Sequence, residues 1–245
     1  MYCSDKGLEK VPYGIPYNSR YVLLMNNRID SIQLDLLNEY LSMEFLVLSN
    51  NRLTDGSIEG AFEGIPALRR LYLDRNLLES VPTDLPASLE ELRLDNNHLN
   101  GNLISSVGKA SFLHLPHLEH LGLASNKIAR VASGAFRALP VLHQLDLCHN
   151  ALSQVPRQLP WGLHSVALTH NKIHSVPRDA FCWGGSDLGL SSLVLVQLED
   201  GVLRLASLPF SSKHNDGHCG QTVLFLFHQT RGHFSKKYDL CPHVQ

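Results

Sequence analysis

Apolar and polar positions recur along most of the chain in one order, L-x-x-L-x-L-x-x-N-x-L. Seven copies place their asparagine at Asn27, Asn51, Asn76, Asn97, Asn126, Asn150 and Asn171. The clearest copy runs from Leu89 to Leu99. Leu92 and Leu94 are two apart, so they point to the same side of an extended strand. Leu89 and Leu99 cover that side from the flanking turns. The asparagine follows the strand, where the chain turns, and its carboxamide can bond backbone groups left without partners there. A unit this short cannot bury its apolar side alone, so the copies stack around one shared core. The pattern predicts a single right-handed solenoid over residues 19–173, with seven short parallel strands on its concave side.

The spacing adds a second layer. Successive asparagines lie 24, 25, 21, 29, 24 and 21 residues apart, so short and long units are mixed. Val-Pro-x-x-x-Pro recurs from Val11, Val81 and Val155, at intervals of 70 and 74 residues. The super-repeat is therefore one short unit plus two long ones. Paired prolines fix φ and remove N–H donors, which favours extended, polyproline-like backbone on the convex side. The long units carry Phe62, Phe112 and Phe136 instead, and these are expected to fill a wider turn core.

Mixed short and long repeats grouped in threes resemble the small leucine-rich proteoglycans and their matrix relatives, over about residues 3 to 183. The branch most resembled is that of extracellular matrix protein 2, podocan and nephrocan. The resemblance implies an α/β leucine-rich repeat solenoid, curved and right-handed. Its concave face would be a parallel β-sheet, and its convex side mostly irregular, polyproline or short helical. The family caps its N-terminus with four cysteines, and Cys3 resembles the last of them. Residues 1–18 are then the remnant of that cap. The family closes its other end with a disulfide across an extended ear repeat, and Ala180-Phe181-Cys182 resembles the start of that ear. Residues 19–183 form the repeat domain on this reading, and 184–245 a divergent C-terminal cap or tail.

Function is expected on the outward strand positions. The protein-binding candidates are Arg20, Tyr21, Phe45, Arg69, Arg70, Tyr72, Asp74, Glu91, Arg93, Asp95, His143 and Asp146. Alternating charges with a few aromatics suit a polar protein partner. Tyr72, with Arg69, Arg70, Asp74 and Arg93 around it, is the expected anchor. Val47 is also read as an outward position. His143 shares a column with His164, and His149 with His170. A shallow sheet surface rarely holds three or four ligands in fixed geometry, so no metal site is expected. No cofactor is expected either.

Composition narrows the classes. The net charge is −2 and the pI about 6.7, which argues against a nucleic-acid or polybasic membrane surface. No apolar run approaches a membrane span. No G-x-S-x-G, H-E-x-x-H, Walker loop or paired C-x-x-C occurs, so the chain does not read as an enzyme. There is no N-x-S/T sequon, and the one Ser-Gly pair, Ser133-Gly134, lacks an acidic flank; glycosaminoglycan attachment is not expected. Met1 to Lys10 is polar with no apolar h-region, so no signal peptide is read there. A fragment, or an isoform lacking its first exons, accounts for that and for the absent cap cysteines.

Five cysteines leave at least one free if bridges form within the chain. By the resemblance, Cys182 pairs with Cys219 or Cys241. Cys148, at an outward strand position, reads as a tolerated small thiol. In the tail, Leu190 to Leu195 begins like an eighth repeat, but Leu198 occupies the asparagine position. Thr222 to Phe227 reads as a strand. The resemblance implies a secreted, non-catalytic matrix module whose concave face binds collagen or another matrix protein. The alternative is a receptor-like or intracellular leucine-rich scaffold for a different protein.

Overall fold

The computed structural model describes residues 1–33, 36–96, 104–177, 179–181, 193–199, 222–229 and 232–239, the last three runs as backbone with the burial of Val196. Asn97, Cys182, Cys219 and Cys241 lie outside the described residues.

The strands follow the leucine motif. In chain order they are β1 (Tyr21–Leu23), β2 (Phe45–Val47), β3 (Arg70–Tyr72), β4 (Glu91–Arg93), β5 (Ser106–Val107), β6 (His120–Gly122), β7 (Arg130–Val131), β8 (Gln144–Asp146) and β9 (Ser165–Ala167). Three longer strands follow, β10 (Leu193–Glu199), β11 (Thr222–Gln229) and β12 (Gly232–Asp239). One sheet runs β1-β2-β3-β4-β6-β8-β9-β10-β11-β12, and β5 pairs with β7 in a separate two-stranded sheet. Every pairing in the main sheet is parallel as far as β11; β12 returns antiparallel. The seven strands expected over residues 19–173 are β1–β4, β6, β8 and β9. The fold is a leucine-rich repeat solenoid with almost no helix: Asp55–Ser57, a single 3-10 turn, is the one helical element among the described residues.

Register stacks like residues into rows. The middle residue of each strand, Val22, Leu46, Leu71, Leu92, Leu121, Leu145 and Val166, pairs with its counterpart on the next strand. All seven are buried in one continuous core. The two repeat types fill their convex sides differently, as their sequences predict. The short units bury Val11, Val81 and Val155, and the long units bury Phe62, Phe112 and Phe136 to about 1% exposure. Phe112 and Phe136 stack with centroids 5.7 Å apart.

The ladder works as the turn chemistry requires. Asn51 Nδ2 donates to the carbonyls of Leu48 and, one repeat back, Leu24, while its Oδ1 accepts from the Ile29 amide. Asn76 repeats this with Leu73, Leu48 and Leu53. Asn150 does so with Leu147, Leu123 and Ile128. Asn126 donates to Leu94 and Leu123. The residue before each described ladder asparagine has positive φ, between 53° and 57°. Asn26, Asn50 and Asn96 hold that position in three repeats, and asparagine tolerates the left-handed region better than most residues.

Both ends of the solenoid continue the sheet. Residues 1–5 lie along the outer side of β1, with Cys3 N–H donating to Leu23 O and Leu23 N–H to Met1 O. Cys3 is a free thiol packed on the core edge. At the other end, β10 does not take the register that Leu190–Leu195 suggests. Val196, not Leu193, pairs with Val166 and enters the core. Residues 193–196 are all apolar, so a period of two does not choose which of them faces inward. The strand expected at 222–227 is present as β11.

Candidate functional site

Two rows of outward side chains flank the buried middle residues. One runs Tyr21, Phe45, Arg70, Glu91, His120, Gln144, Ser165; the other runs Leu23, Val47, Tyr72, Arg93, Gly122, Asp146, Ala167. Beyond them, two residues before each asparagine, lie Met25, Ser49, Asp74, Asp95, Ala124, Cys148 and Thr169. The twelve candidates all fall on or beside these rows, on the concave face. They divide into two groups.

The first group is aromatic and lies on β1–β3. Tyr21 and Phe45 meet edge to face at 6.3 Å, and Phe45 and Tyr72 at 4.9 Å. Tyr21 is 53% exposed. Val47, although outward, is only 4% exposed and lies outside the main core. This corrects the reading of Val47 as an outward surface position: it is closed off from solvent, beside Tyr72 in the register. The N-terminal half of the face therefore carries a small apolar layer of its own.

The second group is ionic and tied together. Tyr72 Oη donates to Glu91 Oε1 at 2.9 Å, and Arg93 Nε donates to the same oxygen at 2.8 Å. The Arg93 guanidinium sits 4.8 Å from the Tyr72 ring centroid, and Arg70 Nε is 3.7 Å from Glu91. Burial pushes the Tyr72 phenol above its ordinary value, with the Glu91 contact adding. Tyr72 is thus a half-buried member of a bonded cluster, rather than a free anchor ringed by loose charges. Arg20 pairs with Glu44 at 3.5 Å and Arg69 with Glu90 at 2.8 Å, both on the exposed rim. His143 approaches Glu119 at 3.9 Å.

Acidic groups dominate the middle of the face. Asp95 Oδ1 accepts from the Ala124 amide at 2.7 Å, Asp74 Oδ1 from the Asp95 amide, and Asp146 Oδ1 from the Cys148 amide. Burial pushes Asp95 up to about 7; the Ala124 bond opposes this, and the charges of Asp74 and Asp146 reinforce it. Burial also raises Asp74. Gly122 makes room for this group. A Cβ there would stand 2.5 Å from Asp95 Oδ2. The result is a recess of about 260 Å³ bordered by Glu91, Arg93, Asp95, His120, Gln144 and Asp146.

The histidine columns are real. His143 and His164 meet edge to face at 4.7 Å, and His149 and His170 stack at 3.9 Å. Among the described residues no three His, Cys, Asp or Glu side chains are arranged to hold a metal ion. Burial raises the Cys148 thiol to about 11, so it carries little thiolate near neutral pH. No helix among the described residues is long and apolar enough to cross a membrane.

Sequence reading missed Gly122, although a signal was present. Aligning the repeats puts glycine where the neighbouring copies carry Tyr72, Arg93 and Asp146.

Comparison with known proteins is consistent with this geometry. The leucine rich repeat family model matches residues 20–78 and 87–152. Keratocan of Danio rerio is 36% identical over 126 residues, 51% of this chain and 34% of that protein. Podocan-like protein 1 of Mus musculus is 38% identical over 117 residues, 47% of this chain and 20% of that protein. Lumican of Homo sapiens is 33% identical over 119 residues, 48% of this chain and 35% of that protein. The chain thus covers about a third or less of the length of these relatives.

Proposed function

Because this chain belongs to the small leucine-rich proteoglycans, a family of leucine-rich repeat proteins, we propose that it is a non-catalytic binding module of the extracellular matrix whose concave face takes a protein partner. Collagen is the first candidate, and other matrix proteins follow it. The observation that carries this reading is the aromatic layer of Tyr21, Phe45 and Tyr72 on the concave side, outside the leucine core. A solenoid needs no second apolar layer there to fold. Aromatic rings beside Arg93 are also the composition enriched at interface hot spots.

Tyr72→Ala with Arg93→Ala tests it. Solid-phase binding to fibrillar collagen is expected to fall at least tenfold, or about 1.4 kcal/mol. Because Tyr72 is half-buried and bonded to Glu91, the double variant is also expected to lose about 1 kcal/mol of stability. That is small enough for it to remain folded at the assay temperature. Equal binding by wild type and variant would move the site off this face.

A further inference from the structure

Resting on the reading that the concave face binds a protein, we propose that it recognises an extended, cationic segment of that partner, one apolar side chain seated on the Tyr21–Phe45–Tyr72 ring cluster and a Lys or Arg side chain in the recess over Gly122.

The two halves of the face differ in what they leave open. On β1–β3 the arginines are engaged: Arg20 with Glu44, Arg69 with Glu90, and Arg70 with Glu91. What remains accessible is the edge and face of Tyr21 and Phe45, above an already dry Val47. That is a platform for an apolar group. On β4–β8 the balance reverses. Arg93 is committed to Glu91 and to the Tyr72 ring. Among the described residues no Lys or Arg pairs with Asp95 or Asp146. Each of those carboxylates has one oxygen held by a backbone amide, at 2.7 and 2.9 Å, which fixes its orientation. Gly122 keeps the space beside Asp95 Oδ2 open, where any other residue would close it. The recess is therefore a preoriented acidic pocket of about 260 Å³, enough for the end of one cationic side chain. Charge complementarity selects Lys or Arg for it over an acidic or neutral group.

The sheet also sets the spacing. Phe45 on β2 and Gly122 on β6 are three strand steps apart. Gly122 also lies two residues beyond His120, the partner of Phe45 in the register. At about 4.8 Å per step and about 3.3 Å per residue the separation is roughly 16 Å, or about five residues of extended chain. An apolar residue and a basic residue about five positions apart, crossing the strands obliquely, fit both places at once.

Short synthetic peptides test this against the whole chain. A ten-residue Gly/Ser/Pro peptide carries one Phe and one Arg five positions apart. The controls replace Arg by Glu, or bring Phe and Arg to adjacent positions. Calorimetry is expected to give the first peptide at least tenfold tighter binding than either control. Asp95→Asn with Asp146→Asn should abolish the preference for Arg over Glu, and Tyr21→Ala with Phe45→Ala should weaken all three peptides. Gly122→Ala, which sets a methyl group against Asp95 Oδ2 without removing a charge, should weaken binding of the Arg peptide. Thermal melts establish that each variant is folded. A Glu peptide that binds as well as the Arg peptide, or an Asp95→Asn/Asp146→Asn protein with unchanged preference, would overturn the proposal. Fibrillar collagen assayed in parallel separates the two readings. Peptide discrimination without collagen binding supports this one and overturns collagen as partner. Collagen binding that needs Tyr21 and Phe45 but ignores Asp95 and Asp146 overturns this one and keeps the concave-face reading.

Discussion

The asparagine of each repeat links sequence to stability most directly. Asn76 is 2% exposed, and its one carboxamide serves the carbonyls of Leu73 and Leu48 and the amide of Leu53. Alanine there leaves several buried backbone groups without partners. Asn76→Ala is expected to cost about 1–3 kcal/mol, read as a lower urea midpoint; an unchanged midpoint would remove the ladder from the account. This role was legible in the sequence, since a short amide recurring at a turn has few other uses. The left-handed position before it was not read, although Asn26-Asn27, Asn50-Asn51 and Asn96-Asn97 repeat the signal. Asp95 shows what spacing cannot reveal. It packs against Gly122 one strand away, and the charges of Asp74 and Asp146 add to the effect of its burial. In the fold it keeps its proton to about pH 7, against an ordinary value of 3.8. The folded state therefore holds the extra proton between those values, and Asp95 penalises folding increasingly as pH rises through that window. Asp95→Asn should raise stability by about 1–3 kcal/mol at pH 8 and leave it nearly unchanged at pH 3. Urea melts at the two pH values measure the difference.

At the scale of the repeat, the short and long units solve one packing problem in two ways. The short unit closes its turn with Val and Leu or Ile around prolines, and the long unit with phenylalanine. Phe112 and Phe136 stack across adjacent long turns, so each supports a neighbour as well as its own repeat. Phe112→Ala should cost about 3–5 kcal/mol through the cavity it leaves, measured by denaturant melts. The strand rows were equally legible, because period two over a three-residue strand admits one inward residue flanked by two outward ones. Legibility failed in two places, for different reasons. Leu193 to Val196 is apolar throughout, so pattern alone could not place β10. Val47 is outward by pattern yet buried, on strands that carry Phe45 and Tyr72, and the pattern of one strand does not show what its neighbour brings. The charges around Tyr72 were legible from the strand pattern. The bond of Tyr72 to Glu91 depends on the neighbouring strand's register and was out of reach.

At the scale of the molecule, each repeat touches its neighbours and the core runs unbroken from Val11 to Val196. Such an arrangement leaves one long concave surface free for a partner. Its two halves differ, apolar toward β1 and acidic toward β8, which gives a bound segment a preferred direction. Oxidative side-chain footprinting with and without fibrillar collagen tests the central claim, that this face binds a matrix protein. The molecule carries its own controls, because Tyr13 and Tyr17 are 74% and 76% exposed outside the strands of the face. Bound collagen is expected to slow oxidation of Tyr21 and Phe45 while Tyr13 and Tyr17 react as before. Protection of Tyr13 and Tyr17, with Tyr21 and Phe45 unchanged, would contradict it.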